Sequence, residues 1–211
     1  SRGLGDVYKR QVTMCVGAVP VAQMHLPQVS VVASAEDLTY DNLTYEIVGY
    51  ETKTVTITGC DQNATTIEVP AEIEGMPVTK IGYQAFRSCY NLAEATLPDS
   101  IVTMDGSVFD GDKNLRTVNL PANLKELGAE TFSGCTSLKE VTLPEQLASL
   151  PSGTFLGCTN LTTVSIPEGV TSLGDSVFAN CSNLKSMTLP DSLVSMGGSV
   201  FSKCTKLETI V

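Results

Sequence analysis

Six phenylalanines, Phe86, Phe109, Phe132, Phe155, Phe178 and Phe201, follow one another at a constant step of 23 residues. Leu92, Leu115, Leu138, Leu161, Leu184 and Leu207 keep the same step, as do Pro98, Pro121, Pro144, Pro167 and Pro190. Cys89, Cys135, Cys158, Cys181 and Cys204 fill a further column, which Asp112 alone interrupts. A unit this short cannot bury its own apolar face, so successive units must stack into a solenoid with one continuous core. Trp is absent and aromatic residues make up only 6% of the chain. A core of that composition is built from many aliphatic contacts in thin layers.

Each unit reads approximately L-x-x-V-x-L-P-x-x-L-x-x-L-G-x-x-x-F-x-x-C-x-x. In Leu138-Lys139-Glu140-Val141-Thr142-Leu143 the side chains of Leu138, Val141 and Leu143 are expected inward and Thr142 outward, as a short strand demands. Pro144 ends that strand, because it cannot donate to a ladder. Phe132 and Cys135 are three residues apart and fall on one face of a helical turn. Gly128 suits a sharp turn into that half. The expected class is an α/β repeat solenoid of 23-residue coils, with one parallel sheet face and short helical or irregular turns opposite.

The two ends read differently from the middle. Residues 1–11 show no apolar period and look like the translated end of a sequencing-library adapter, so they are set aside as a scar. Residues 12–35 are apolar and free of charge, and close on Ala33-Ser34-Ala35 before Glu36-Asp37, the pattern of a partial secretion signal. Residues 36–77 are expected to form a β-rich N-terminal cap and lead-in, with strands around Val55 and Ile57 and around Ile67 and Val69 shielding the first coil. Residues 78–211 hold about six repeats. The chain stops at Leu207-Glu208-Thr209-Ile210-Val211, inside a strand, which reads as a C-terminal truncation of an array joined to further repeats or domains.

These residues carry a family resemblance. The run Val170-Thr171-Ser172-Leu173-Gly174, then Val177-Phe178, Cys181, Leu184 and Met187-Thr188-Leu189-Pro190, is similar to the BspA-like leucine-rich repeats of bacterial surface proteins. Tyr45 to Tyr50 and Val55 to Gly59 resemble that family's β-rich entry, and Thr66 to Pro70 with Glu74 to Gly82 resemble its longer first repeat. The resemblance covers residues 43–211. It departs from the usual leucine-rich repeat in having Pro and Cys columns where an Asn ladder would stand. It implies a secreted or cell-surface bacterial protein, often adhesin-like, with the ligand left open.

The chemistry of other function classes is thin. The net charge of −10 opposes binding to nucleic acid or to an anionic membrane surface. Pro20, Pro27 and His25 make residues 12–35 a poor membrane span, and none is read in the mature part. His25, in the leader, is the only histidine, which removes His-dependent nucleophile systems and His-ligated metals. No phosphate-cradling glycine loop or dinucleotide fingerprint is present. Glu72 and Glu74 read as solvated carboxylates. The column cysteines allow buried thiols, disulfides or zinc ligation. Their parallel side-chain vectors favour buried thiols over the other two. Asp112 is expected at the surface of a slightly bulged coil, or less readily as a calcium contact. No catalytic residue, cofactor or metal is assigned, and the chain is not read as an enzyme.

What remains is the outward face of the strands. Glu94, Arg116, Asn119, Lys139, Glu140, Thr142, Thr163, Ser165, Lys185, Ser186 and Thr188 lie there, a small, polar, hydroxyl-rich surface. Thr also favours strands for their own sake. The expected function is a non-catalytic interaction module that takes a protein or glycan partner on this face. The alternative is a structural spacer within a larger surface protein.

Overall fold

A computed structural model describes residues 38–211. The adapter-like and signal-like readings of residues 1–35 lie outside the described residues. At the entry, β1 (Leu38–Tyr40), β2 (Leu43–Val48) and β3 (Thr54–Cys60) form an antiparallel meander. Leu43, Tyr45, Val55 and Ile57 of this meander are buried.

The chain then enters β4 (Thr66–Glu68) and a tight hairpin of β5 (Glu72–Ile73) and β6 (Met76–Ile81). Glu74 and Gly75 at its tip both have positive φ, 53° and 75°. That is what a two-residue turn matched to strand twist requires. β6 pairs parallel with β3, and so joins the entry meander to the repeats.

The repeats make two parallel ladders. The first runs along β4, β7 (Glu94–Thr96), β9 (Thr117–Asn119), β11 (Glu140–Thr142), β13 (Thr163–Ser165), β15 (Ser186–Met187) and β17 (Thr209–Ile210). Its full three-residue strands all show exposed–buried–exposed alternation, with Ile67, Ala95, Val118, Val141 and Val164 pointing in. The second ladder runs from β6 along β8 (Thr103–Met104), β10 (Glu126–Leu127), β12 (Ser149–Leu150), β14 (Ser172–Leu173) and β16 (Ser195–Met196). Between the two, the columned proline accepts a turn bond three residues on, as in Leu124 N–H to Pro121 O at 3.1 Å and Leu147 N–H to Pro144 O at 3.2 Å. The proline thus both ends one strand and opens the turn to the next.

The third side of each coil is not helical. Among the described residues there is no helix, so the expected α/β class is corrected to a β-solenoid of about seven 23-residue coils. The backbone explains why. Phe86, Phe109, Phe132, Phe155 and Phe178 donate their N–H groups to Val108, Thr131, Thr154, Val177 and Val200 of the next coil, at 2.8–3.0 Å. Those donors are spent between coils and cannot close a helical turn. Positive φ also recurs two residues before and two after each Phe: Gln84 and Ser88, Ser107 and Gly111, Glu130 and Gly134, Gly153 and Gly157, Ser176 and Asn180, Ser199 and Lys203. A left-handed residue on either side of the ring stops helix propagation at once.

Two smaller expectations also change. The expected single parallel sheet is two ladders, because the x-Leu pair before the glycine (Ser172-Leu173, for example) pairs as well. The strand at Ile67 is not a shield of the cap. It pairs in register with β7, Thr66 opposite Glu94, and is the first rung of the repeat sheet.

Inside, the Phe rings form a spine. Neighbouring centroids lie 5.3–5.7 Å apart, and from Phe109 to Phe201 successive rings are within 9° of parallel. Phe86 through Phe178 and Leu92 through Leu184 are sealed from solvent. Gly128 serves close approach and not a turn conformation. A Cβ there would collide with the backbone of Asp105 and Gly106 in the preceding coil.

Candidate functional site

The first ladder decides which side chains face out. Because side chains alternate along a strand, burying Val118, Val141 and Val164 sets the residues on either side outward. Parallel in-register pairing then stacks equivalent positions. Glu94, Thr117, Glu140 and Thr163 lie in corresponding positions of successive strands, as do Thr96, Asn119, Thr142, Ser165 and Thr188. Arg116, Lys139 and Lys185 occupy the position just before the strand and make a basic row beside them.

The structure brings the expected face together on one side of the coils. Glu94, Arg116, Asn119, Lys139, Glu140, Thr142, Thr163, Ser165, Lys185, Ser186 and Thr188 are all exposed. None of their side chains takes part in a hydrogen bond or ion pair among the described residues. The two ion pairs found there, Lys80 with Asp105 at 2.8 Å and Arg87 with Asp110 at 3.1 Å, belong to other sides of the coil. The exposed tyrosines Tyr40, Tyr50, Tyr83 and Tyr90 lie outside the strands of this ladder.

One feature of the face was not read from the sequence. A cleft of about 350 Å³ opens between the coils of β9 and β11, lined by Val118, Asn119, Thr142, Pro144, Glu145 and Gln146 among others. Asn119 and Thr142 are shared between the cleft and the face. The cleft lies at one of the two places where the first ladder passes between separate sheets, β9 to β11, the other being β13 to β15. A local break in pairing has no periodic signature.

The cysteine column faces the core and is chemically quiet. Cys135, Cys158, Cys181 and Cys204 are buried and free, and each thiol donates to the carbonyl of the Phe 26 residues earlier, at 3.0–3.2 Å. Burial pushes Cys135 and Cys158 well above the ordinary thiol range, and Cys181 up to about 12. A thiol that keeps its proton is neither a nucleophile nor a metal ligand. Among the described residues no three His, Cys, Asp or Glu side chains converge on a metal position.

Asp112 is a correction. Its carboxyl is fully buried, and neither oxygen has a hydrogen-bond partner. The coil does not bulge, because Asp112 N–H to Phe109 O and Leu115 N–H to Asp112 O, both 3.1 Å, repeat the bonding of the Cys coils. Burial foremost, then the nearby Cys89 and Asp110, push the carboxyl up to about 8. The Cys89 N–H, donated to Phe86 O at 3.2 Å, acts in the opposite direction without offsetting the burial.

Comparison with known proteins places this geometry. The chain resembles a leucine-rich repeat protein of T. pallidum (27% identity over 82% of this chain and 91% of that one, TM-score 0.65). It also resembles a leucine-rich repeat protein of Bacteroides ovatus (26% identity, 83% of this chain, TM-score 0.62) and a leucine-rich cell surface protein of Faecalibacterium prausnitzii (26% identity, 84% of this chain, TM-score 0.62). It spans 53% and 54% of the length of the last two. Among curated proteins none matches the chain. The BspA type leucine rich repeat region matches in six copies over residues 79–208, the same residues that carry the Phe, Leu and Cys columns, and the chain belongs to that family.

Proposed function

We propose that the chain is a non-catalytic interaction module, secreted or displayed at a cell surface, that binds a protein or glycan partner across its first ladder in the manner of an adhesin. One observation carries this reading. The outward polar side chains of consecutive strands stand in register, exposed, with no bond to one another or to any other described residue. Groups left free in this way lose nothing internal when they bond to a partner. The cleft at Asn119 and Thr142 adds a concave point on the face, where a sugar ring or a short side chain finds polar partners on two coils.

One further observation agrees: the F. prausnitzii relative is described as a cell surface protein.

The test is binding by the wild-type chain and by a quadruple variant, Lys139→Ala, Glu140→Ala, Lys185→Ala and Ser186→Ala. The probes are a glycan array and a panel of immobilised extracellular glycoproteins. Saturable binding that weakens at least tenfold in the variant, with an unchanged melting curve, is the expected result. Equal binding by both proteins rejects this face as the binding surface. Absence of binding to every probe favours the spacer reading.

A further inference from the structure

We infer that Cys60 and Cys89 are a disulfide site, which locks the entry meander onto the first repeat coil when a disulfide oxidant reaches it. Every later column thiol points at the carbonyl of the Phe 26 residues behind it. Cys89 opens the column and has no repeat Phe behind it at that distance. The place is taken by the end of β3, where the Cys60 sulfur lies 2.8 Å from that of Cys89. Two sulfurs that are not bonded do not rest so close, and a disulfide bond of about 2 Å needs only a small rotation of either side chain.

The backbone on both sides is fixed in place. Gly82 N–H donates to Ile57 O at 2.8 Å, and a Cβ added at Gly59 would lie 3.7 Å from Ala85 O. The end of β3 therefore lies directly against the segment that leads to Cys89. The other column thiols are each committed to a carbonyl and do not face one another, so the pairing is selective. The two residues are 29 apart, and the closed loop would contain β4 and the whole β5–β6 hairpin.

The two cysteines would play different parts. Cys60 is half-buried and Cys89 buried, so the oxidant meets Cys60 first. The Cys60 thiolate attacks one sulfur of a small-molecule or protein disulfide, breaking that bond and releasing one thiolate, which takes up a proton. Cys89 then attacks the Cys60 sulfur of the mixed disulfide. It gives up its proton and releases the second oxidant thiol. Two protein thiols and one oxidant disulfide thus become one protein disulfide and two oxidant thiols. Contact with Cys60 above all, and then burial, pushes the Cys89 thiol up while the pair is reduced, which assigns the first attack to Cys60.

The test uses the full chain with its seven cysteines. The protein is equilibrated with oxidised glutathione, quenched in acid, alkylated in denaturant and digested with trypsin. Residues 54–80 and 88–113 separate Cys60 and Cys89 into peptides with no other cysteine. The expected product is these two peptides joined with the loss of two hydrogens, reversed by dithiothreitol. The melting temperature should rise on the order of 10 °C over the reduced protein. Cys60→Ser, at the more accessible position, should abolish both changes and still fold. Full alkylation of both cysteines after oxidation overturns the inference. So does a glutathione adduct persisting on Cys60, or linkage of Cys60 to any other cysteine.

Discussion

Asp112→Asn isolates the cost of a single buried carboxyl. In the folded protein this group keeps its proton up to about pH 8, against an ordinary value of 3.8. Below pH 4 both folded and unfolded chains carry the proton, and the group adds nothing to the pH dependence. Between pH 4 and pH 8 the unfolded chain has lost a proton that the folded chain retains, so stability falls as pH rises. At about 1.4 kcal/mol per unit, the loss by pH 7 approaches about 4 kcal/mol, and local relaxation toward water brings such penalties nearer 2. Asparagine has the same shape and no proton to lose, but its amide is also unpartnered and costs about 1–3 kcal/mol at every pH. The two stability curves should therefore converge or cross: wild type the more stable near pH 4.5, the variant level with it or ahead near pH 8. Urea denaturation at intervals across this range, with reductant present, measures the slope directly. The buried thiols begin to contribute only above this window. Equal slopes for wild type and Asp112→Asn would refute the argument, and would mean that water or a partner reaches the carboxylate. Asp112→Cys should flatten the slope as well. It should also add stability at all pH values, because a thiol in this column can donate to the Phe86 carbonyl as its counterparts do to later Phe carbonyls.

Other consequences follow from the same coil. Phe155→Ala empties the spine between Phe132 and Phe178 and should cost about 3–5 kcal/mol, with melting lowered on the order of 10 °C; a near-wild-type melting curve would contradict the sealed ring column. Gly128→Ala and Gly157→Ala should separate two uses of glycine. At Gly128 the new methyl meets the backbone of the coil before it, for a cost of about 2–3 kcal/mol. At Gly157 its nearest neighbour is 3.9 Å away and only the φ of +74° is strained, for about 1 kcal/mol. Equal destabilisation in chemical denaturation would show that the two positions do not differ in this way.

The period made most of this fold readable, because a solenoid turns one-dimensional spacing directly into stacking. The Phe, Leu, Pro and Cys columns follow from register alone. The third side did not, because a Phe and a Cys three residues apart suit a helical turn and an irregular turn equally. The deciding signal is the residue two before and two after each Phe. Gly111, Gly134, Gly153 and Gly157 hint at left-handed backbone there, but Glu130 and Lys203 take the same conformation and dilute the pattern. The second ladder is not legible in the sequence, because a two-residue strand is too short to show alternation. The polarity of Asp112 suggests a coil that bulges to reach water, but polarity does not move this coil. Its backbone keeps the bonds of its neighbours, and the carboxyl gives up its charge instead. The outward face was legible as far as orientation goes. The cleft in it was not, since it belongs to a single pair of coils, those of β9 and β11, and not to any repeated residue.

That contrast between columns bears on how such a surface can work. Each coil is fixed by inward side chains and by backbone bonds to the coils on either side, along two ladders and the Phe row. The outward positions of the first ladder contribute almost nothing to that set: among the described residues none of the face side chains is bonded, and their neighbours in the strand bury the apolar residue. A change from Thr163 to Lys, or from Lys139 to Ser, should therefore shift stability by no more than about 0.5 kcal/mol. The inward column shows the opposite behaviour, where replacing one Cys by Asp112 leaves a carboxyl that must hold its proton to remain buried. A fold that separates its stability from one of its faces so completely can carry different partner chemistries on the same coil. The strand backbone holds each position on a lattice of about 4.8 Å between coils. A partner spanning several coils then meets a series of side chains whose spacing is fixed even where their identity is free. Recognition on this face should accordingly depend on the pattern across Glu94, Arg116, Lys139, Glu140 and Lys185 taken together. Moving one charge by a single coil, as in Glu140→Thr combined with Thr163→Glu, should weaken binding about as much as removing it, while the melting curve stays where it was.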